Sequence, residues 1–255
     1  MRKEDFVKSV FSEEEAVVTR LFDKLVIAEK SGKTVCSNEF YTPGIWSSVL
    51  KLNSQLETNV FCDGVFEEAE RRMITFCTEE HVYQPIKVLC INNKSKFHSL
   101  QHKDYLGAIM SLGIKREKIG DLIVAGDSCY CAVCEDIAIY ICDNIDMVAH
   151  CPCEVAEIYD YEKLPTYRFE EKIVISTSMR ADCIISSLTG LSRSKSVDLI
   201  RAGKVLIDYV EVREKDYDID TASTVTVRGY GKFKICEVVG SSGSGRLKVL
   251  VKKFI

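Results

Sequence analysis

The sequence predicts an α+β protein of three small domains, on three observations. From Ile86 to Ile158 the apolar period switches between strand and helix in the order β-α-β-β-α-β, a split βαβ path. From Met179 to Ile235 two short amphipathic helices precede a run of short β-rich segments. Ahead of both, a long helix pattern leads into a mixed helix and strand region. The expected division is 1–82 as a small α/β domain and 83–160 as the split βαβ domain. A linker with an extended stretch follows at 161–177, and 178–255 forms the carboxyl-terminal module with a closing hairpin.

Ser12 with Glu15 has the spacing of a capping box, and Val17, Val18, Leu21, Leu25 and Ala28 continue a helix that Gly32 ends. Thr42-Pro43 opens a second helix carrying Ile45, Trp46, Val49 and Leu50. Val60 to Cys62 reads as a strand, Phe66 to Arg72 as a helix and Met73 to Cys77 as a strand. In the middle domain Ile86 to Ile91, Ile119 to Val124, Cys129 to Cys134 and Cys151 to Ile158 are strands. Its helices are His102 to Leu112, stopped by Gly113, and Glu135 to Asn144.

Many RNA-recognition domains share this ferredoxin-like path, but their third strand carries stacking aromatics in a basic, glycine-rich frame. Here that strand offers only Tyr130, which gives little support to base stacking on this sheet. Twelve cysteines in a chain without a signal-peptide segment read as reduced thiols. Cys131-x-x-Cys134 has zinc-like spacing, yet Cys151-x-Cys153 is no second knuckle. The expected strand order, 4-1-3-2, places Cys131 and Cys153 about 9 to 10 Å apart across the first strand, so core packing is the expectation and no metal or cofactor is assigned. His102 and Asp104 sit at a helix start, where capping explains them without catalysis. Lys115, Arg116 and Lys118 form a basic loop, read as solvated surface with a phosphate contact as the alternative.

The carboxyl-terminal module carries the most informative residues. Ala181, Ile184, Ile185 and Leu188 line one helix face closed by Gly190; Ser192 caps a second helix bearing Val197, Leu199 and Ile200 that stops at Gly203. Arg193 and Lys195 lie in the first turn of that helix, where cations oppose the macrodipole. Arg201 and Lys204 lie at its end, Arg180 precedes it, and Arg228, Lys232 and Lys234 follow. Amides and cations at a helix start suit phosphate. Arg228-Gly-Tyr-Gly-Lys-Phe233 reads equally as a bend that closes the strands or as an RNA contact, and Ser241 to Gly245 as a hairpin turn.

The order Arg180, Asp182, Ser192-Arg193, Leu199-Ile200, Gly203, Val205 resembles the S4 domain, a small RNA-binding module. This chain differs in having Ala181 for the usual Leu, Asp208-Tyr209 for a common Asn-Gly and Ala222-Ser223 for a common Gly-Asp. His102-Lys-Asp-Tyr-Leu-Gly107, Leu112 to Asp121 and Glu68-Ala-Glu-Arg71 extend the likeness, so that the chain from about Phe40 onward resembles the YlmH family of bacterial S4-domain proteins. The resemblance implies an amino-terminal domain, a middle domain of RNA-recognition-like fold and a carboxyl-terminal RNA-binding module. It also implies links to ribosomes, stalled large subunits and cell division.

Charge agrees with a basic partner surface at one end. The net charge is −4, but residues 172–255 hold 15 Lys plus Arg against 9 Asp plus Glu, a balance of +6, which leaves −10 for 1–171. No run of about 18 apolar residues spans a membrane, and the expectation is a cytoplasmic chain. The function expected is non-enzymatic binding of structured RNA, rRNA or tRNA on the ribosome, through Arg180, Ser192, Arg193, Lys195, Arg201, Lys204, Arg228 and Lys232. Two alternatives stand beside it: an RNA-modifying enzyme targeted by an S4 domain, and a cell-division adaptor binding protein through the acidic domains. No Walker, Gly-x-Gly-x-x-Gly or Gly-x-Ser-x-Gly element occurs.

Overall fold

The helical spacing of Val18, Leu21, Leu25 and Ala28 buries one face of a 17-residue helix and sets the amino-terminal core. A computed structural model describes residues 1–10, 15–78 and 82–255. Ser12 lies outside the described residues, and with it the expected capping box. The chain divides into two compact units, Met1–Thr166 and Tyr167–Ile255. No described helix is long and apolar enough to cross a membrane.

The first unit begins with α1 (Lys3–Ser9), α2 (Glu15–Ser31), β1 (Val35–Tyr41), α3 (Pro43–Lys51), β2 (Asn59–Asp63) and β3 (Arg72–Cys77). The strands form an antiparallel sheet in the order β1-β3-β2. Phe66 to Arg72, expected as a helix, is a tight loop instead, with Val65 and Glu68 at left-handed φ of 72° and 59°. Contacts from far along the chain decide this. The Asp121 carboxylate accepts the Glu70 amide at 2.5 Å and the Arg71 amide at 3.3 Å, and the buried Arg71 guanidinium donates to the carbonyls of Ile119 and Phe40. Gly64 is obligatory here, since a Cβ would meet the Arg71 carbonyl at 2.4 Å.

The chain continues through β4 (Ile86–Asn93), α4 (His102–Ser111), β5 (Ile119–Ala125), β6 (Ser128–Cys134), α5 (Glu135–Asn144), β7 (Met147–Val148) and β8 (Cys151–Ile158). The sheet order β5-β6-β4-β8-β7 contains the expected 4-1-3-2 path, and α4 and α5 cover the face formed by Leu89, Ile91, Cys129, Cys131 and Val133. Cys131 pairs with Leu89 and Cys153 with Asn93, so the two cysteines are offset by four residues, about 13 Å further along the strand than the expected side-by-side placement. Burial pushes the Cys131 and Cys134 thiols up to about 12, which keeps them neutral core groups. Arg116 and Lys118 are structural rather than a solvated loop: Arg116 donates to the Ile119 and Gly120 carbonyls, and Lys118 pairs with Asp136 at 2.5 Å.

The second unit comprises β9 (Phe169–Ser176), α6 (Ala181–Thr189), α7 (Arg193–Arg201), β10 (Val205–Ile207), β11 (Val210–Glu211), β12 (Thr224–Val227), β13 (Gly231–Ser241) and β14 (Leu247–Phe254). All strands pair antiparallel in the order β11-β10-β12-β13-β14-β9. Most of the extended part of the segment expected as a linker is thus a full edge strand, β9, paired along its length with β14. The helices cover one sheet face, and Ile184, Ile185, Leu188, Ile200, Phe233, Ile235 and Val251 share the core.

Both unusual turns keep left-handed geometry without glycine. Asp208 and Tyr209 have φ of 49° and 73°, and the Asp208 carboxylate accepts the Thr224 amide at 2.8 Å. Ala222 has φ of 71° with no side chain able to offset the strain. The expected result of Ala222→Gly is therefore a gain of about 0.5 to 1 kcal/mol in unfolding free energy, read from urea melts at unchanged m-value.

Candidate nucleic-acid interface

Gly190, with φ of 72°, ends α6 in a left-handed cap and turns the chain into Ser192. Ser192 has extended dihedrals and its Oγ accepts the Lys195 amide at 3.4 Å, the N-cap expected from its position. The second helix is thereby started at Arg193, which fixes what its first turn presents.

The organising group is Asp182, in the first turn of α6. Its side chain is 3% exposed, while Arg193 across from it is 57% exposed. Arg193 Nε and Nη2 both lie 2.8 Å from Asp182 Oδ2, and Arg180 Nε lies 3.3 Å from Oδ1. Burial pushes the Asp182 carboxyl up, but the bonds from Arg193 and Arg180 outweigh it and hold the group below its ordinary range. Arg193 therefore has a structural reason to occupy the first turn, which its position relative to the macrodipole did not suggest. The carboxylate neutralises one of two guanidiniums and holds both at the surface.

Two basic clusters result on the helix face. Arg180, Arg193 and Lys195 gather at the start of α7. Arg201 and Lys204 stand at its end, with Arg228 beside them because its amide donates to the Lys204 carbonyl at 2.9 Å. Arg193 and Arg201 are eight residues apart on α7, about 12 Å along the helix. Lys195, Arg201, Lys204 and Arg228 are exposed and make no ion pair among the described residues. Tyr230 sits 39% exposed at the tip of the same β12 to β13 turn.

Lys232 does not join them. Phe233 and Ile235 point into the core beneath the helices, so Lys232 and Lys234 project from the opposite sheet face. There the Lys232 ammonium donates to the Tyr209 hydroxyl at 2.8 Å and lies 4.9 Å from the Phe254 ring centroid. The alternation Lys-Phe-Lys-Ile was the available signal. His102 and Asp104 are placed as helix-start residues, with the Asp104 carboxylate accepting the Gln101 amide at 2.8 Å.

Fold and interface together define a two-unit α+β protein whose carboxyl-terminal unit carries a cation-lined two-helix face. Residues 79–162 match a family model described as "Putative RNA-binding domain in YlmH". The chain is 24% identical over 208 residues to the ribosome-associated protein quality control protein P2 of Bacillus subtilis (strain 168), spanning 79% of this chain and 80% of that protein. Among solved structures it is similar to the cell division protein ylmH from Streptococcus pneumoniae, with a TM-score of 0.50 and 19% identity over 61% of this chain and 97% of that one. Two of the three matches carry the name YlmH, and this chain is similar to each matched protein over the span given.

The Asp182 geometry has a consequence for pH. Because its folded pKa is depressed, the pair contributes fully above the unfolded value near 3.9 and is lost as pH falls through the folded value. Asp182→Asn is expected to cost about 1 to 2 kcal/mol at pH 7, a discounted figure because the arginines reach solvent. That deficit should shrink below about pH 4, and urea melts at both pH values check it.

Proposed function

We propose that this chain is a non-enzymatic RNA-binding protein whose residues 178–255 act as an S4-type module on structured RNA, rRNA or tRNA on the ribosome. The observation that carries the reading is the helix face: six cations in two clusters at the ends of α7, two of them, Arg180 and Arg193, held by one buried carboxylate. Arg180 and Arg193 offer guanidinium edges oriented by Asp182, and Lys195, Arg201, Lys204 and Arg228 supply exposed charge. Ser192 contributes by fixing the helix start. Such a surface recognises backbone shape and charge, since the narrow major groove of A-form RNA hides its base edges. The names of the matched proteins, which refer to RNA binding and to ribosome-associated quality control, support the same class.

In this reading residues 1–82 and 83–160 are separate domains of the first unit, and the protein works in the cytoplasm in ribosome quality control. The family match to a described RNA-binding domain falls on the middle sheet, so RNA contact extends beyond the basic module. The acidic surface of 1–171 is left for a protein partner.

Binding of a hairpin RNA by the full chain, followed by fluorescence anisotropy across a salt series, tests the phosphate model. With four phosphates neutralised the log–log slope is expected at about −3 to −4, and Lys195→Ala with Arg201→Ala should flatten it by about 1.5. An affinity independent of salt would overturn the reading.

A further inference from the structure

The stretch Lys94-Ser-Lys-Phe-His-Ser-Leu-Gln-His-Lys103, between β4 and α4, departs from the charge of its surroundings. Residues 1–171 hold 19 basic against 29 acidic side chains, yet these ten hold three lysines, two of the chain's four histidines and no carboxylate. At its tip Phe97 is 90% exposed, the most exposed of the large apolar side chains among the described residues. An isolated exposed apolar residue is ordinary on a protein surface. A ring presented almost whole to water, on a braced loop and among cations, is not a product of core packing.

The brace is specific. Asn93 is buried and its side-chain amide donates to the His98 carbonyl at 2.7 Å, while its Oδ1 accepts the Ser95 amide at 2.9 Å. The Phe97 amide donates to Ser95 Oγ at 3.4 Å. At the base of the loop the Asn93 amide donates to the Asp127 carbonyl in the turn between β5 and β6, and the Lys94 amide to the Pro152 carbonyl in β8. Of the carboxylates next to the loop, Glu154 pairs with Lys94 and Asp104 accepts the Gln101 amide. Lys96 and His98 flank Phe97 in the loop and Lys103 lies in the first turn of α4, and all three are exposed.

We propose that this loop is a second RNA contact, in which Phe97 stacks on the base of an unpaired nucleotide while Lys96 and Lys103 meet the flanking phosphates. Charge complementarity selects a nucleic acid over an acid-poor protein surface, and a single exposed ring suits a splayed base rather than a duplex. The inference rests on the reading of the chain as an RNA-binding protein and deepens it, by adding single-stranded RNA to the structured RNA held by the helix face. It places a contact inside the middle domain without using Tyr130 or the sheet face. The sequence signal is present in the ten residues themselves, three lysines and a phenylalanine without a carboxylate.

The test uses the full chain and two probes, a short single-stranded oligoribonucleotide and a hairpin RNA, read by fluorescence anisotropy. Phe97→Ala is expected to weaken single-strand binding about tenfold, Phe97→Trp to restore it, and Lys96→Ala with Lys103→Ala to weaken it and flatten its salt slope. Hairpin affinity and melting temperature should stay at wild-type values in all three, because the ring packs on nothing. Single-strand affinity unchanged by Phe97→Ala would overturn this inference while leaving hairpin binding to stand, as would a leucine substitution that binds as well as wild type. If the wild-type chain binds neither probe, this inference and the RNA-binding reading fall together.

Discussion

A carboxylate buried in the first turn of α6 sets what the carboxyl-terminal unit can present. Asp182 is enclosed by the segments that flank it: its own amide donates to the Lys215 carbonyl, the Ala181 amide to the Tyr217 carbonyl, and Cys183 Sγ lies 3.4 Å from Oδ1. A buried charge without partners is costly, so the two arginines that reach it are held in place. Arg193 comes from the next helix, eleven residues away, and the pair therefore fixes α7 against α6 as well as fixing a guanidinium. Helix packing and surface chemistry thus depend on one ion group. Lys195, Arg201 and Lys204 need no such support, because they extend from the ends of a helix already positioned, and Arg228 is tied beside them through the Lys204 carbonyl.

The first unit has a counterpart in Asp121, which serves the backbone rather than cations. By accepting two amides of the loop between β2 and β3 it holds that loop out of a helix and joins the three-stranded to the five-stranded sheet. Gly120 beside it is needed because a Cβ would meet the Phe40 ring at 2.8 Å. The Trp46 indole donates to the Glu70 carbonyl at 2.8 Å, and the Arg72 guanidinium lies 4.4 Å from the Trp46 ring centroid. The words that carry the family likeness in this unit, Glu68 to Arg71 and Leu112 to Asp121, are therefore builders of the junction between two sheets.

What the sequence disclosed follows from the range of the deciding contacts. Strands and helices from Ile86 to Ile158 were legible because the central strands are short apolar runs buried on both faces and the helices bury one face; α5 was read to its end residues. β1 was missed, since the bulge at Asn38, with φ of 58°, breaks the alternation of Val35 to Tyr41. The false helix at Phe66 to Arg72 had acceptable local residues and lost to Asp121, fifty positions distant. In the candidate site, the cap at Ser192 and the cations of α7 were visible as local patterns. The Asp182 to Arg193 pair was not, because spacing cannot show which helix faces which. Lys232 was grouped with the helix cations by nearness in sequence, although alternation with Phe233 and Ile235 sends it to the other face.

The account stands on the α7 face being the part of the chain that holds RNA on a ribosomal particle. Sedimentation of cell lysate through a sucrose gradient, comparing wild type with an Arg193→Ala, Lys204→Ala variant verified as folded, addresses that claim directly. The account predicts that wild type travels with one ribosomal subunit and that the variant stays at the top of the gradient. A variant that travels with the particle as wild type does, or a wild type that stays at the top, would contradict it.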